Sequence, residues 1–121
     1  MNPSCCWLGA SPDGVVTDPT EDTDGLVEIK YPFKERYGFI KDIVERKSDK
    51  FLKLDRSGQV VLSRSHPYYA QVMGQMALCE KQWCDFFVFT MNEHFVERIR
   101  FDQEEWRCMR EKLKTYAIPR C

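Results

Sequence analysis

Histidine is scarce in this chain: His66 and His94 are the only two, and neither stands at ligand spacing from a cysteine. The six cysteines (Cys5, Cys6, Cys79, Cys84, Cys108 and Cys121) form no Cys-x-x-Cys pair, which argues against a zinc site. No Ser/His or Cys/His arrangement offers itself for nucleophilic catalysis. No apolar run approaches bilayer length, and the first residues lack a basic stretch followed by an apolar one. Neither a membrane span nor a signal peptide is therefore read from it. The expectation is a soluble, intracellular protein with reduced thiols, Cys79 and Cys84 being ordinary core residues.

Net charge is also nearly absent, at −1, and no Lys or Arg precedes Lys30. Residues 1–29 carry six acids, residues 30–64 carry ten basic and five acidic residues, and the remainder balances at eight of each. An acidic segment followed by a basic one suits phosphate backbones held near a cation. For Asp18, Glu21, Asp22 and Asp24 the plainer reading, a solvated loop, is preferred. With 121 residues, 43% of them hydrophobic, the chain is expected to be one domain, residues 1–121, around a single core.

The chemistry concentrates between Leu8 and Phe33. Gly25-Leu-Val-Glu-Ile-Lys30 reads as a strand ended by Pro32. Alternation puts Leu26, Glu28 and Lys30 on one face and Val27, Ile29 and Tyr31 on the other. The expectation is that Val27 and Ile29 form the buried face, with Glu28 and Lys30 on a half-exposed one. Taken alone, that pair reads as a weak ion pair on a strand. Asp13 adds to it. Ser11-Pro12-Asp13-Gly14 is turn chemistry that can hold a carboxylate rigidly, and if the two segments pair, Asp13 can meet Glu28. Two carboxylates plus the Ile29 carbonyl make an all-oxygen site suited to Mg²⁺ or Mn²⁺. Lys30 beside it could orient an attacking water.

Pro12-Asp13, a gap, then Glu28-x-Lys30 is similar to the signature of the PD-(D/E)xK nuclease superfamily. The fuller text, Leu8-Gly-Ala-Ser-Pro-Asp-Gly-Val-Val16 followed by Gly25-Leu-Val-Glu-Ile-Lys-Tyr-Pro-Phe33, resembles the YqaJ-type viral recombinase, or phage lambda exonuclease-like, family. His66-Pro-Tyr-Tyr-Ala-Gln-Val-Met-Gly-Gln-Met76 and Trp83-Cys-Asp-Phe86 also follow that pattern, so the resemblance runs from Trp7 to about Trp106. It implies a restriction-endonuclease-like α/β fold, a central mixed sheet flanked by helices. It also implies an upstream helical part in relatives, which makes this chain look truncated at its N-terminus. Some relatives in the superfamily hold an iron–sulfur cluster, which the cysteine spacing here does not support.

The resemblance implies a metal-dependent deoxyribonuclease that resects double-stranded DNA ends 5′ to 3′ for recombination. Asp13, Glu28, Lys30 and Gln71 would be catalytic. Asp13, Glu28 and the Ile29 carbonyl would hold Mg²⁺, with Mn²⁺ able to substitute. Ser11, Lys34, Tyr68 and Gln75 are candidate substrate-binding residues, Gln75 having a structural role as an equal alternative. Expected partners are DNA ends, a single-strand annealing or recombination protein, and further copies of the chain. The setting would be intracellular, the nucleus or a virus-infected host cell. Two alternatives stay open: a non-catalytic DNA-binding domain, and an endonuclease on the same core.

Along the rest of the chain, residues 34–47 have helical spacing with Tyr37, Ile40 and Val44 on one side. Lys34, Arg36 and Lys41 could meet DNA there or face solvent. Phe51–Leu54 and Gln59–Leu62 flank Asp55-Arg-Ser-Gly58, a hairpin signal. A helix is expected from Pro67 to Lys81, with Gln71 and Gln75 on one face and His66 as its cap. Trp83–Thr90 reads as a strand buried on both faces, and Phe95–Phe101 as its partner, with Arg98 and Arg100 on a solvated face. Asp102 and Glu105 give a capping signal for a last helix, with Trp106, Met109, Leu113 and Tyr116 as its apolar stripe.

Overall fold

Strand β1 (Gly14–Val16) and strand β2 (Gly25–Lys30) open the fold, followed by a 3-10 turn (Phe33–Glu35) and a short helix α1 (Ile40–Val44). Strands β3 (Leu52–Leu54) and β4 (Val60–Leu62), helix α2 (Pro67–Cys79), strands β5 (Trp83–Phe89) and β6 (His94–Arg100), and helix α3 (Gln103–Tyr116) complete it. This is a computed structural model, and it describes residues 13–116, with side chains from 13 to 111. Cys5, Cys6, Ser11, Cys121 and the side chains of Leu113 and Tyr116 lie outside the described residues. No helix among the described residues is long and apolar enough to cross a membrane.

The larger sheet has the order β1-β2-β5-β6, with β2 and β5 parallel and both outer pairs antiparallel. A parallel neighbour needs a long crossover, and α1, the β3–β4 hairpin and α2 fill it. The hairpin turns where Gly58 adopts φ +86°, and the Asp55 carboxylate accepts the N–H groups of Ser57 and Gln59, both at 2.9 Å. Helix α2 begins as expected: His66 Nδ1 accepts the Tyr68 N–H at 3.1 Å, and Pro67 occupies the first turn. It stops two residues short of Lys81, because Glu80 turns left-handed at φ 57°. Helix α3 is capped by Asp102, whose Oδ1 accepts the Glu105 N–H at 3.1 Å.

Ile40 and Ile43 of α1, Leu52 and Leu62 of the hairpin and Val72, Met73 and Met76 of α2 pack on Leu26, Phe86 and Val88 of the sheet. Burying each such side chain contributes about 1.5–3 kcal/mol. Trp106 and Met109 of α3 pack against this cluster from outside, Trp106 approaching Gly74 of α2.

Four expectations are corrected. The buried face of β2 is that of Leu26 and Glu28, while Ile29 is 45% exposed and Tyr31 41%. Beyond Trp83, strand β5 is buried on one face only: Cys84, Phe86 and Val88 are inside, Phe87 and Phe89 half-exposed, because the described helices join the core on the face of Phe86 and Val88. The helix expected over 34–47 is interrupted at Arg36–Phe39. There the carbonyls of Arg36, Tyr37 and Gly38 accept from Met91 N–H (2.8 Å), Asn92 Nδ2 (2.8 Å) and Thr90 Oγ1 (3.0 Å), not from a following helical turn. Tyr37 consequently faces solvent at 72% exposure.

The fourth concerns charge. Arg98 is half-buried and ion-paired, not simply solvated: it forks onto Asp85 across the β5–β6 pair (2.7 and 2.9 Å), bonds Asp18 at 2.7 Å and lies 3.8 Å from the Trp83 ring centroid. Arg100 binds Glu21 at 2.8 and 2.7 Å. Asp18 and Glu21 are therefore ion-paired members of the β1–β2 loop, while Asp22 stays exposed. The Arg98 guanidinium and the Thr20 N–H and hydroxyl hold the Asp18 carboxyl down at about 2. Trp83 donates its indole N–H to Thr23 O at 3.0 Å, and its ring fills the space where Gly25 lacks a Cβ.

Candidate active site

Asp13 sits one residue ahead of β1 and is bonded to β2 on both sides of Glu28. Its N–H donates to Val27 O at 3.1 Å, and its Oδ2 accepts the Ile29 N–H at 2.7 Å. The antiparallel pairing of Gly14 with Val27 brings the two segments together, while Pro12 of the expected turn lies outside the described residues.

Glu28 points into the molecule and is 5% exposed. Its Oε2 is 3.1 Å from Lys30 Nζ, while Oε1 is buried with no hydrogen-bond partner among the described residues. An ionised carboxylate oxygen left bare in an interior is costly, and such a group calls for a cation or further donors. Cys84, the cross-strand partner of Leu26, lies close enough to feel Glu28, Asp85 and Asp13. Burial and then those negative charges push its thiol up to about 12.

Lys30 is held from three directions. Besides Glu28, its Nζ approaches Gln71 Oε1 at 3.4 Å, the long end of hydrogen bonding, and stands 4.1 Å from the Tyr68 ring centroid. Tyr68 is in turn set edge-on to Phe51 at 5.1 Å, so the β3–β4 hairpin buttresses the wall of the site. Phe51 was not among the expected residues. The hairpin's place in the chain, between the strand and the glutamine helix, was the available signal.

The structure thus gathers Glu28, Lys30, Gln71 and Tyr68, with Asp13 clamped to the same strand. Lys34 lines one pocket with Lys30, Phe33 and Tyr68. Gln75 lies a turn further along α2, 3% exposed, with Oε1 lacking a hydrogen-bond partner among the described residues. Ser11 falls outside the described residues. The donor set fits a hard divalent cation in kind: two carboxylates tied to one strand, one of them with a buried oxygen that has no hydrogen-bond partner among the described residues. Among the described residues no group of three or more His, Cys, Asp or Glu side chains is placed to hold a metal, so backbone and water oxygens would complete any shell.

The mixed α/β core thus carries an Asp and a Glu-x-Lys strand beside a glutamine helix. The chain belongs to the YqaJ-like viral recombinase domain family, which matches residues 1–82. Among solved structures it is similar to that of an alkaline exonuclease (LHK-Exo) from Laribacter hongkongensis, at 20% identity and a TM-score of 0.47. The match covers 88% of this chain and 54% of that one, so the chain spans about half the length of that protein. No functionally curated protein gives a significant match.

Proposed function

We propose that this chain is a metal-dependent deoxyribonuclease that degrades double-stranded DNA from its ends, 5′ to 3′, in support of recombination. The observation that carries the reading is Glu28, a buried carboxylate with one oxygen on Lys30 and the other without a hydrogen-bond partner among the described residues. Membership of a viral recombinase family supports the recombination role and is the ground for the polarity.

Asp13, Glu28 and the Ile29 carbonyl would hold Mg²⁺, or Mn²⁺ in its place, and the metal would supply Lewis-acid stabilisation of charge on the scissile phosphate. The Lys30 ammonium, fixed by Glu28, Gln71 and the Tyr68 face, orients the attacking water and offsets negative charge as the phosphorus–oxygen bond breaks. Gln71 turns its amide toward the same place and orients phosphate or water. Lys34, at the pocket rim, takes a phosphate of the bound strand as a point charge. Ser11 would assist in substrate binding, and Gln75 would support Gln71 from inside α2. A single-strand annealing or recombination protein and further copies of the chain are the proposed partners.

Digestion of linear and covalently closed duplex DNA in Mg²⁺, in Mn²⁺ and in EDTA tests the reading. Metal-dependent loss of the linear form alone is the expected result. Cutting of both forms would make the protein an endonuclease, and no loss of either by folded protein in any metal would overturn the proposal.

A further inference from the structure

Three residues beyond Lys30 the chain exposes aromatic rings on a backbone that is tied down. Phe33 is 69% exposed and Tyr37 72%. Loose loops expose rings by default, but this one is not loose. The carbonyls of Arg36, Tyr37 and Gly38 are bound by the β5–β6 turn, and the Ile40 N–H donates to Glu93 Oε2 at 2.5 Å. The rings are further set by Arg36, whose guanidinium carbon lies 3.5 Å from the Phe33 centroid and 4.9 Å from that of Tyr37. Arg36 Nη1 also donates to Phe33 O at 2.5 Å. A hydrophobic ring–cation–ring stack held in water by a rigid backbone is pre-organised for a flat ligand.

Charge and position identify that ligand. Residues 30–47 carry six basic side chains against three acidic ones, so the surroundings favour a polyanion. Phe33 lines the same pocket as Lys30 and Lys34. Three residues of extended chain span about 10 Å, which is one to three nucleotide steps along a strand. Bases inside a duplex hide their faces, whereas unpaired bases offer both faces to side chains.

We propose that Phe33, Arg36 and Tyr37 form a stacking platform for unpaired nucleotides of the DNA strand next to the scissile phosphate. The platform rests on the nuclease reading, since it gives a frayed or single-stranded segment a place beside Lys30. Arg36 serves it twice, as part of the stack and as a counter-charge to phosphate.

The test is fluorescence anisotropy of the full chain with a fluorescein-labelled single-stranded oligodeoxynucleotide, in EDTA so that nothing is cut. Phe33→Ala/Tyr37→Ala is expected to weaken single-strand binding by at least about tenfold, the loss typical of base–aromatic stacking. The salt dependence should not change, because no phosphate contact is removed. Phe33→Leu, which keeps apolar bulk under Arg36 but has no ring face, should also bind more weakly, whereas Tyr37→Trp should bind as wild type. Circular dichroism melts identify any variant that has lost its fold, and the exposed positions predict none. Equal binding by the double alanine variant and wild type would overturn the platform alone, provided wild type still degrades DNA. A wild-type protein that degrades DNA but does not bind the single strand would overturn it too. Wild type that neither binds nor degrades DNA would take the nuclease reading down with it.

Discussion

Asp13 Oδ2 accepts the Ile29 N–H at 2.7 Å across sixteen residues of sequence. One carboxylate oxygen therefore ties Asp13 to β2. The proposed role in metal binding falls to the other oxygen, and substitution can separate the two.

Asp13→Asn retains an acceptor for the Ile29 N–H, whereas Asp13→Ala loses it. Urea denaturation should place Asn near wild type and Ala lower by about 1 kcal/mol. DNA cleavage should fall at least about a hundredfold in both, because neither retains the charge. Full activity in Asp13→Asn would remove Asp13 from the site.

Glu28→Gln tests the bare buried oxygen. In EDTA the variant should melt below the wild-type temperature, since the half-buried Lys30 ammonium loses its carboxylate partner. Mg²⁺ should raise the wild-type melting temperature and leave the variant's unchanged, by mass action on the folded state. Equal stabilisation of both by Mg²⁺ would place the metal elsewhere.

Gly25 is required by Trp83: a Cβ there would stand 2.2–2.5 Å from indole atoms. Gly25→Ala should cost about 1–3 kcal/mol in chemical denaturation, the range for overpacking a filled site. An unchanged midpoint would mean that the indole shifts freely, against its hydrogen bond to Thr23 O.

The Arg98 cluster predicts a limb in the pH dependence of stability. Asp18 is held at about 2, and Glu21 below the usual carboxylate range by Arg100, its main hydrogen-bond partner, and Arg98. A depressed folded-state pKa stabilises above the unfolded value and is lost as pH falls through the folded one. Melting temperature should therefore drop between about pH 4 and pH 2. Arg98→Gln should melt lower at pH 7 and show a shallower drop, read by circular dichroism. A drop as steep as wild type's would assign the limb to other depressed carboxylates, among them Glu35 beside Arg46.

The order of elements was legible because it rests on local pattern: Gly25 and Pro32 bound the strand, and Pro67 starts the helix. The choice of Glu28, Lys30 and Gln71 as a group came instead from the family resemblance. Which face of β2 is inside was not legible. Period-two alternation names two faces, and hydropathy favours burying Val27 and Ile29 over Glu28 and Lys30. The site reverses that preference by burying the carboxylate. The Arg98 pairs with Asp18 and Glu21 lie 80 and 77 residues apart, beyond any local spacing rule. The break at Arg36–Phe39 likewise depends on the β5–β6 turn some fifty residues later, which no helical periodicity could register.

Lys30 tests the central claim most directly. Release of nucleotides from a 5′-labelled linear duplex in Mg²⁺ should be compared between wild type and Lys30→Ala. Lys30→Ala should bind the duplex and yet cleave it at least about a hundredfold more slowly, the loss expected when a charge-stabilising group leaves an active site. Equal rates in the two proteins, or no cleavage by wild type, would contradict the account.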